Sequence, residues 1–102
     1  MPSSDELKRI AFEEIDSRAD DIIAISKTIL NNPEPGFKET NTAKLVAEKL
    51  AELGIPFRTG LAITGIRADL LCGNPGPTMA LLGELDSLIV NGHPFADPNT
   101  GA

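Results

Sequence analysis

The chain contains neither tryptophan nor tyrosine, and four phenylalanines supply its aromatic content of 4%. Nucleic-acid bases stack on aromatic side chains in single-strand binding proteins, so this scarcity argues against such a platform. Basic residues are also few, because nine Lys and Arg face fifteen Asp and Glu and leave a formal net charge of −6. Binding to phosphate backbones requires clustered Lys and Arg, and nucleic acid is therefore not an expected partner.

Cysteine and long apolar runs are equally scarce. Cys72 is the single cysteine, so no internal disulfide can form, and a reducing compartment such as the cytoplasm is expected. No apolar run approaches the roughly 20 residues of a membrane-spanning helix. The acidic stretch Met1–Glu6 is followed by no apolar segment of the kind found in signal peptides. We therefore expect no membrane association.

One long helix is predicted near the start of the chain. Apolar residues recur at spacings of three and four from Ser4 to Asn31, with charged residues between them. Ser3 or Ser4 is the expected N-cap, because a serine hydroxyl can accept from the first free backbone N–H groups. The two prolines and the glycine that follow Asn31 predict the end of this helix.

A second helix is predicted from Glu39 or Thr40 to Leu53, with Gly54 as a left-handed C-terminal cap. Beyond it the pattern changes to that of strands, predicted at residues 55–59, 63–71 and 78–82. Only about five residues separate the last two strands, and we predict that these two form an antiparallel hairpin. The chain is thus predicted to be α/β, with two helices followed by about three strands.

Glu84 and Asp86 follow the apolar run Thr78–Leu82. Carboxylates at the end of a buried strand lie where open α/β sheets place their chemistry. Two residues apart in an extended strand, these side chains point to the same face, where they can bind a divalent cation or orient one of its ligands. The alternative is that both are solvated acidic groups at a strand end.

Other residues with reactive side chains favour ordinary structural roles. His93 is the only histidine, and its Gly-His-Pro loop is typical of an exposed side chain. Cys72 precedes a glycine and is predicted to be a small buried apolar residue at a strand end. Glu13 and Glu14 are adjacent in a predicted helix, so they face different directions and are expected to be solvated.

Three segments in this order resemble a known family of enzymes. They are Asn32-Pro33-Glu34-Pro35-Gly36-Phe37-Lys38-Glu39, the helix Thr42–Leu53 that closes on Gly54, and Gly73-Asn74-Pro75-Gly76-Pro77-Thr78-Met79-Ala80-Leu81-Leu82-Gly83-Glu84-Leu85-Asp86. Together they are similar to the N-terminal part of the di-metal amidohydrolases of the aminoacylase/carboxypeptidase superfamily. The branch of aminobenzoyl-glutamate, hippurate and auxin-conjugate amidohydrolases is the most similar.

This resemblance implies a catalytic domain with a mixed sheet flanked by helices, of which residues 1–102 would be an incomplete N-terminal portion without the dimerisation domain. It also implies hydrolysis of amide bonds in N-acyl amino acids or peptide-like substrates. In this family two divalent metals, zinc or manganese, polarise the carbonyl and activate water, and a glutamate acts as general base.

The resemblance also assigns roles to the acidic pair. Asp86 matches an aspartate that orients a metal-site residue, and Glu84 matches the position two residues before it, with its role left open. The Cys and His metal ligands and the general base of the family have no counterpart in residues 1–102. We therefore expect the isolated chain to bind no metal and to be inactive as a hydrolase.

Two further hypotheses compete with this interpretation. The chain is a non-catalytic interaction module that self-associates or pairs with a homologue through exposed strand edges. Alternatively, Asp86 is a phosphoryl acceptor and Glu84 helps to hold Mg²⁺. The second hypothesis requires a lysine after Asp86, and no Lys or Arg follows Arg67.

Overall fold

The computed structural model describes residues 1–102 and has the predicted α/β composition. Its elements are α1 (Ser4–Ser17), α2 (Ala19–Asn31), α3 (Thr40–Glu52), β1 (Phe57–Leu61) and β2 (Gly65–Ala68). The two strands form an antiparallel hairpin, and α3 packs against both of them. None of the three helices has the length and apolarity needed to cross a bilayer.

The predicted first helix is divided into α1 and α2 at Arg18, whose backbone leaves the helical region with φ −105° and ψ 9°. The Ser17 hydroxyl donates to the carbonyl of Glu14 at 2.8 Å, the same carbonyl that accepts the Arg18 N–H at 3.2 Å. Such side-chain bonds to the preceding turn bend helices. The prediction of one uninterrupted helix from Ser4 to Asn31 is therefore wrong, although Ser3 is confirmed as the N-cap.

The predicted second helix is confirmed as α3, and so is its glycine cap. Gly54 has a φ of +70°, and its N–H donates to Ala51 while the N–H of Ile55 reaches back to Leu50, each at 3.0 Å. This pair of bonds is the Schellman arrangement, which satisfies the carbonyls left free at a helix end. It directs the chain from α3 straight into β1.

The hairpin turns sharply at residues 62–64. Phe57 pairs with Ala68 and Arg58 with Arg67, followed by a bulge before Leu61 pairs with Gly65. A Cβ atom on Gly65 would lie 2.5 Å from the backbone oxygen of Leu61, so only glycine fits at this position. The hairpin thus joins the first two predicted strand regions, in place of the predicted pairing of residues 63–71 with 78–82.

The predicted third strand, Thr78–Leu82, is not formed. This run has no regular secondary structure, and the exposed fractions of Met79, Leu81 and Leu82 are 86%, 98% and 96%. A strand is stable only when its backbone pairs with neighbours and one face packs on a core. No element of the described chain lies beside this run to provide either contact.

The chain contains no buried apolar side chain. Its three buried residues are Glu39, Thr42 and Gly101. The radius of gyration is 16.5 Å, whereas a compact domain of this length has a value of about 13 Å. The helices α1 and α2 therefore present most of their apolar side chains to solvent, and the packed region is limited to α3, the hairpin and the loops that meet them.

Candidate functional site

A cleft of about 370 Å³ lies where three segments of the chain meet. One wall is the hairpin turn from Leu61 to Gly65, and another is the loop before α3 with Gly36, Phe37 and Glu39. The third wall is the segment from Gly83 to Asp86. The cleft therefore brings the acidic segment predicted to be functional next to the start of α3.

The two carboxylates of the predicted pair occupy different positions. Asp86 lines the cleft, whereas Glu84 does not, and both side chains are exposed. Neither accepts a hydrogen bond from another residue of the chain. Because the preceding strand is not formed, the alternation that would place both on one face is absent as well. The assignment of Asp86 as an orienting residue remains a prediction.

Glu39 supplies a second carboxylate to the cleft, and this one is buried. Only 6% of its surface is exposed, and one oxygen accepts a hydrogen bond from the Thr64 hydroxyl at 2.5 Å. Thr64 belongs to the hairpin turn, so this bond connects the start of α3 to the hairpin across the cleft. A buried charge is costly unless it is hydrogen-bonded, which accounts for the hydroxyl facing it.

Glu34 caps the first turn of α3 from outside the helix. Its carboxylate accepts the N–H of Asn41 at 3.1 Å, the N–H of Thr42 at 2.5 Å and the Thr42 hydroxyl at 2.7 Å. These are the free donors that an N-cap side chain normally satisfies, and the N-cap residue Glu39 makes no such bond. The Thr42 hydroxyl, with the two backbone N–H groups, lowers the pKa of Glu34 below its ordinary value.

The backbone of Glu34 is hydrogen-bonded to the acidic segment. Its carbonyl accepts the N–H of Ser87 at 2.9 Å. This is the single hydrogen bond that joins residues 70–88 to any other part of the chain. One residue thus contacts both the start of α3, through its side chain, and the segment that carries Asp86, through its carbonyl.

The last residues form a separate closed loop. The N–H of Val90 donates to Gly101 at 2.9 Å, and the Asp97 carboxylate accepts from the backbone N–H groups of Asn99 and Thr100 and from the Thr100 hydroxyl. These bonds lower the pKa of Asp97. The Thr100 hydroxyl also donates to the carbonyl of Leu30, at 3.2 Å, which attaches this loop to the end of α2.

His93 and Cys72 lie apart from the cleft. The Nδ1 atom of His93 accepts the N–H of Phe95 at 3.1 Å within the terminal loop, and the side chain is exposed as predicted. Cys72 is also exposed, so the prediction that it is buried is wrong. Its position follows from the missing third strand, because no sheet covers this part of the chain.

The side chains of this chain do not fit a metal centre. No group of three or more His, Cys, Asp or Glu residues converges closely enough to hold an ion. The lone histidine and the lone cysteine are on different loops, neither of which lines the cleft. No catalytic step through a metal can therefore be built from these residues.

Comparison with known proteins identifies relatives with a common type of activity. The chain is 43% identical over 70 residues to thermostable carboxypeptidase 2 of Saccharolobus solfataricus, which is 68% of this chain and 18% of the relative. It is 36% identical over 89 residues to IAA-amino acid hydrolase ILR1-like 6 of Arabidopsis thaliana, covering 83% and 18%. It is 41% identical over 64 residues to the hippurate hydrolase of Campylobacter jejuni, covering 63% and 17%.

The chain belongs to the family of these amidohydrolases and carboxypeptidases. This confirms the resemblance noted in the sequence. The chain spans about a fifth of the length of the curated relatives it matches. No family model matches the chain, and no solved structure matches it.

Sequence reasoning missed two glutamates that connect the segments of this cleft. Glu34 and Glu39 both belong to the segment that carries the family resemblance, yet neither was singled out. A signal for Glu34 was present, since an acidic residue between Pro33 and Pro35 just before a helix is well placed to meet its N-terminal donors. Nothing comparable indicated that Glu39 would be buried against Thr64.

Proposed function

We propose that this chain forms part of the catalytic domain of an enzyme that hydrolyses amide bonds in N-acyl amino acids or peptide-like substrates. The relatives support the proposal, because they are a carboxypeptidase, an IAA-amino acid hydrolase and a hippurate hydrolase. All three names describe the release of an amino acid from a conjugate or a peptide. The exposed free thiol of Cys72 fits a reducing compartment, and the cytoplasm is the proposed location.

The metals of such a hydrolase, zinc or manganese, are proposed to be bound by residues other than those of this chain. The reason is the donor set, since residues 1–102 bring no three ligating side chains together. What this chain contributes is the cleft described above, with Asp86 in one of its walls as a positioning residue. Glu84 lies beside that wall without lining it, and its role is left open.

The isolated 102-residue chain is expected to be inactive. Purified protein would be incubated with hippurate and with other N-acyl amino acids in the presence of zinc or manganese. We expect no release of amino acid above the blank, because water is not activated without a complete set of metal ligands. Metal-dependent turnover by this chain alone would contradict the proposal that the metals are bound by residues other than those of this chain.

A chimera tests the proposed function itself. In it, this chain replaces the corresponding segment of the Campylobacter jejuni hippurate hydrolase. We expect the chimera to hydrolyse hippurate, and a folded but inactive chimera that binds its metals normally would count against the proposal. Introducing Asp86→Ala should lower kcat by about tenfold to a hundredfold, the usual effect of losing a residue that orients a metal ligand.

The matched control for that substitution is Asp69→Ala. Asp69 is also exposed, and it pairs only with the exposed Arg67. We expect this variant of the chimera to keep the parent kcat. An equal loss of kcat from both substitutions would show that the effect of Asp86 is structural. The metal content of each variant would also be measured, to separate an effect on the position of a metal ligand from an effect on folding.

A further inference from the structure

Glu34 makes hydrogen bonds in two directions. Its carboxylate accepts the N–H groups of Asn41 and Thr42 and the Thr42 hydroxyl, all in the first turn of α3. Its backbone carbonyl accepts the N–H of Ser87 at 2.9 Å, from the segment that carries Asp86. No other residue of the chain is hydrogen-bonded both to α3 and to this segment. Glu34 is therefore the link through which the position of the helix reaches the acidic segment.

The helical end of this link lies in the packed part of the chain. Thr42 is 5% exposed, and α3 packs against both strands of the hairpin. The bonds from the Thr42 hydroxyl and from the two backbone N–H groups keep the pKa of Glu34 below its ordinary value, so the side chain is ionised at neutral pH. Hydrogen bonds to an ionised carboxylate are stronger than those between neutral groups. The Glu34 side chain is therefore well attached to the helix.

The backbone of Glu34 has little freedom of its own. Glu34 lies between Pro33 and Pro35, and a residue before proline is pushed into extended conformations by contact with the proline ring. The side chain is bonded to α3 and the backbone is restricted, so the position of the helix sets the direction of the Glu34 carbonyl.

The bond to Ser87 acts on Asp86 through the peptide group that joins these two residues. The atoms from one Cα to the next lie in a plane, so the Ser87 N–H and the Cα of Asp86 belong to one rigid unit. Directing this N–H toward the Glu34 carbonyl therefore restricts the place from which the Asp86 side chain projects. Asp86 is the carboxylate of the acidic segment that lines the cleft.

We infer that Glu34 is a positioning residue for Asp86, an inference that rests on the role of Asp86 in the proposed function. Glu34 does not line the cleft, so it acts through the Asp86–Ser87 peptide and not on the substrate. Glu39 has no such role, because its side-chain bond joins the start of α3 to Thr64 of the hairpin and does not reach the acidic segment.

The contact is tested by NMR on the full 102-residue chain, without metal or substrate. The amide shift of Ser87 should differ from its value in a free peptide of residues 83–91, and in Glu34→Ala it should return toward that value. Glu48→Ala is the control and should leave the shift unchanged, because Glu48 is exposed on the same helix and makes no side-chain hydrogen bond. If Glu34 only capped α3, the Ser87 shift would not change in either variant.

The effect on Asp86 is tested by a double-mutant cycle in the chimera with the hippurate hydrolase. Glu34→Ala should lower kcat by about threefold to tenfold and change KM by less than about twofold, a smaller loss than that expected for Asp86→Ala. In a chimera that already carries Asp86→Ala, Glu34→Ala should cause no further loss, because residues that act through one another are not additive. A general loss of stability would lower the activity equally in both backgrounds.

Glu34→Gln is the conservative variant. The amide oxygen of glutamine can still accept both donors of Thr42, and only the bond from Asn41 is lost. We expect this variant of the chimera to keep kcat within about twofold of the parent. The metal content should be the same in the parent and in all variants.

Three results would overturn the inference. The first is a Ser87 shift that Glu34→Ala does not change, and the second is a chimera in which Glu34→Ala keeps the parent kcat. The third is an equal loss of kcat from Glu34→Ala with and without Asp86→Ala. If the parent chimera is folded but inactive, the proposed function fails instead, and the Ser87 shift alone decides whether Glu34 positions the segment.

Discussion

The cap that Glu34 places on α3 yields a prediction whose magnitude follows from the geometry. In Glu34→Ala the three donors from Asn41 and Thr42 lose their common acceptor. Replacing an N-cap side chain by alanine costs about 0.5–2 kcal/mol. We expect the upper part of this range, because three donors converge on one charged group, whereas an ordinary cap accepts one or two.

The sum of three separate charge-assisted bonds would be larger, but it is not the expected loss. Glu34 is half-buried, so water can reach the vacated donors and replace part of what the carboxylate provided. A loss of about 1–2 kcal/mol in the first turn of α3 remains. Because 1.4 kcal/mol corresponds to a factor of ten, the local opening of this turn should become about five to thirty times more frequent.

Amide hydrogen exchange measured by NMR is the suitable assay, since it reports on individual N–H groups. The amides of Asn41 and Thr42 should exchange about five to thirty times faster in Glu34→Ala, and amides in the middle of α3 should change little. The matched control is Glu48→Ala, because Glu48 is an exposed glutamate on the same helix that makes no hydrogen bond through its side chain.

The reasoning would be refuted by unchanged exchange of the Thr42 amide in Glu34→Ala. It would also be refuted if Glu48→Ala accelerated exchange equally, since the effect would then come from the helix as a whole and not from the cap.

Two further predictions concern acid and the hairpin. The pKa values of Glu34 and Asp97 are both lowered in the folded chain. The stability that these two carboxylates contribute is therefore present above their unfolded pKa values of about 4, and it is lost as the pH falls through the folded values. The NMR shifts of the Thr42 and Thr100 amides should report this loss below about pH 4 and stay constant from pH 5 to 7. Gly65→Ala should abolish the pairing of Arg58 with Arg67, because the added Cβ atom would lie 2.5 Å from the backbone oxygen of Leu61. The control is Gly83→Ala, whose added Cβ atom meets no other atom within 4 Å. This control should leave the cross-strand contacts in NMR spectra intact.

Features that depend on neighbours in sequence could be predicted well. The N-cap at Ser3, the extent of α3 and the left-handed Gly54 follow from residues within one or two helical turns of each other. The break at Arg18 was missed because it depends on a competing bond from Ser17, which the apolar period does not reveal.

Features that depend on distant partners could not be predicted in the same way. The apolar pattern of Thr78–Leu82 indicates a strand. A strand forms only when neighbouring strands pair with its backbone, and the pattern of one segment does not show whether such neighbours are present. The burial of Glu39 against Thr64 joins residues 25 positions apart, and no local signal announces it. The position of Asp86 at the cleft likewise depends on the bond between Ser87 and Glu34.

The hydrogen bond between Ser87 and Glu34 closes a flexible loop, and this closure costs conformational entropy. Ser87 closes a loop of 18 residues, from Asp69 to Asp86, that begins at the end of β2. Closing a flexible loop of this length costs about 2.6 kcal/mol before any constant term, whereas one neutral backbone hydrogen bond contributes about 1 kcal/mol. The bond therefore selects where the segment meets the loop before α3, but it is too weak to hold the segment there by itself.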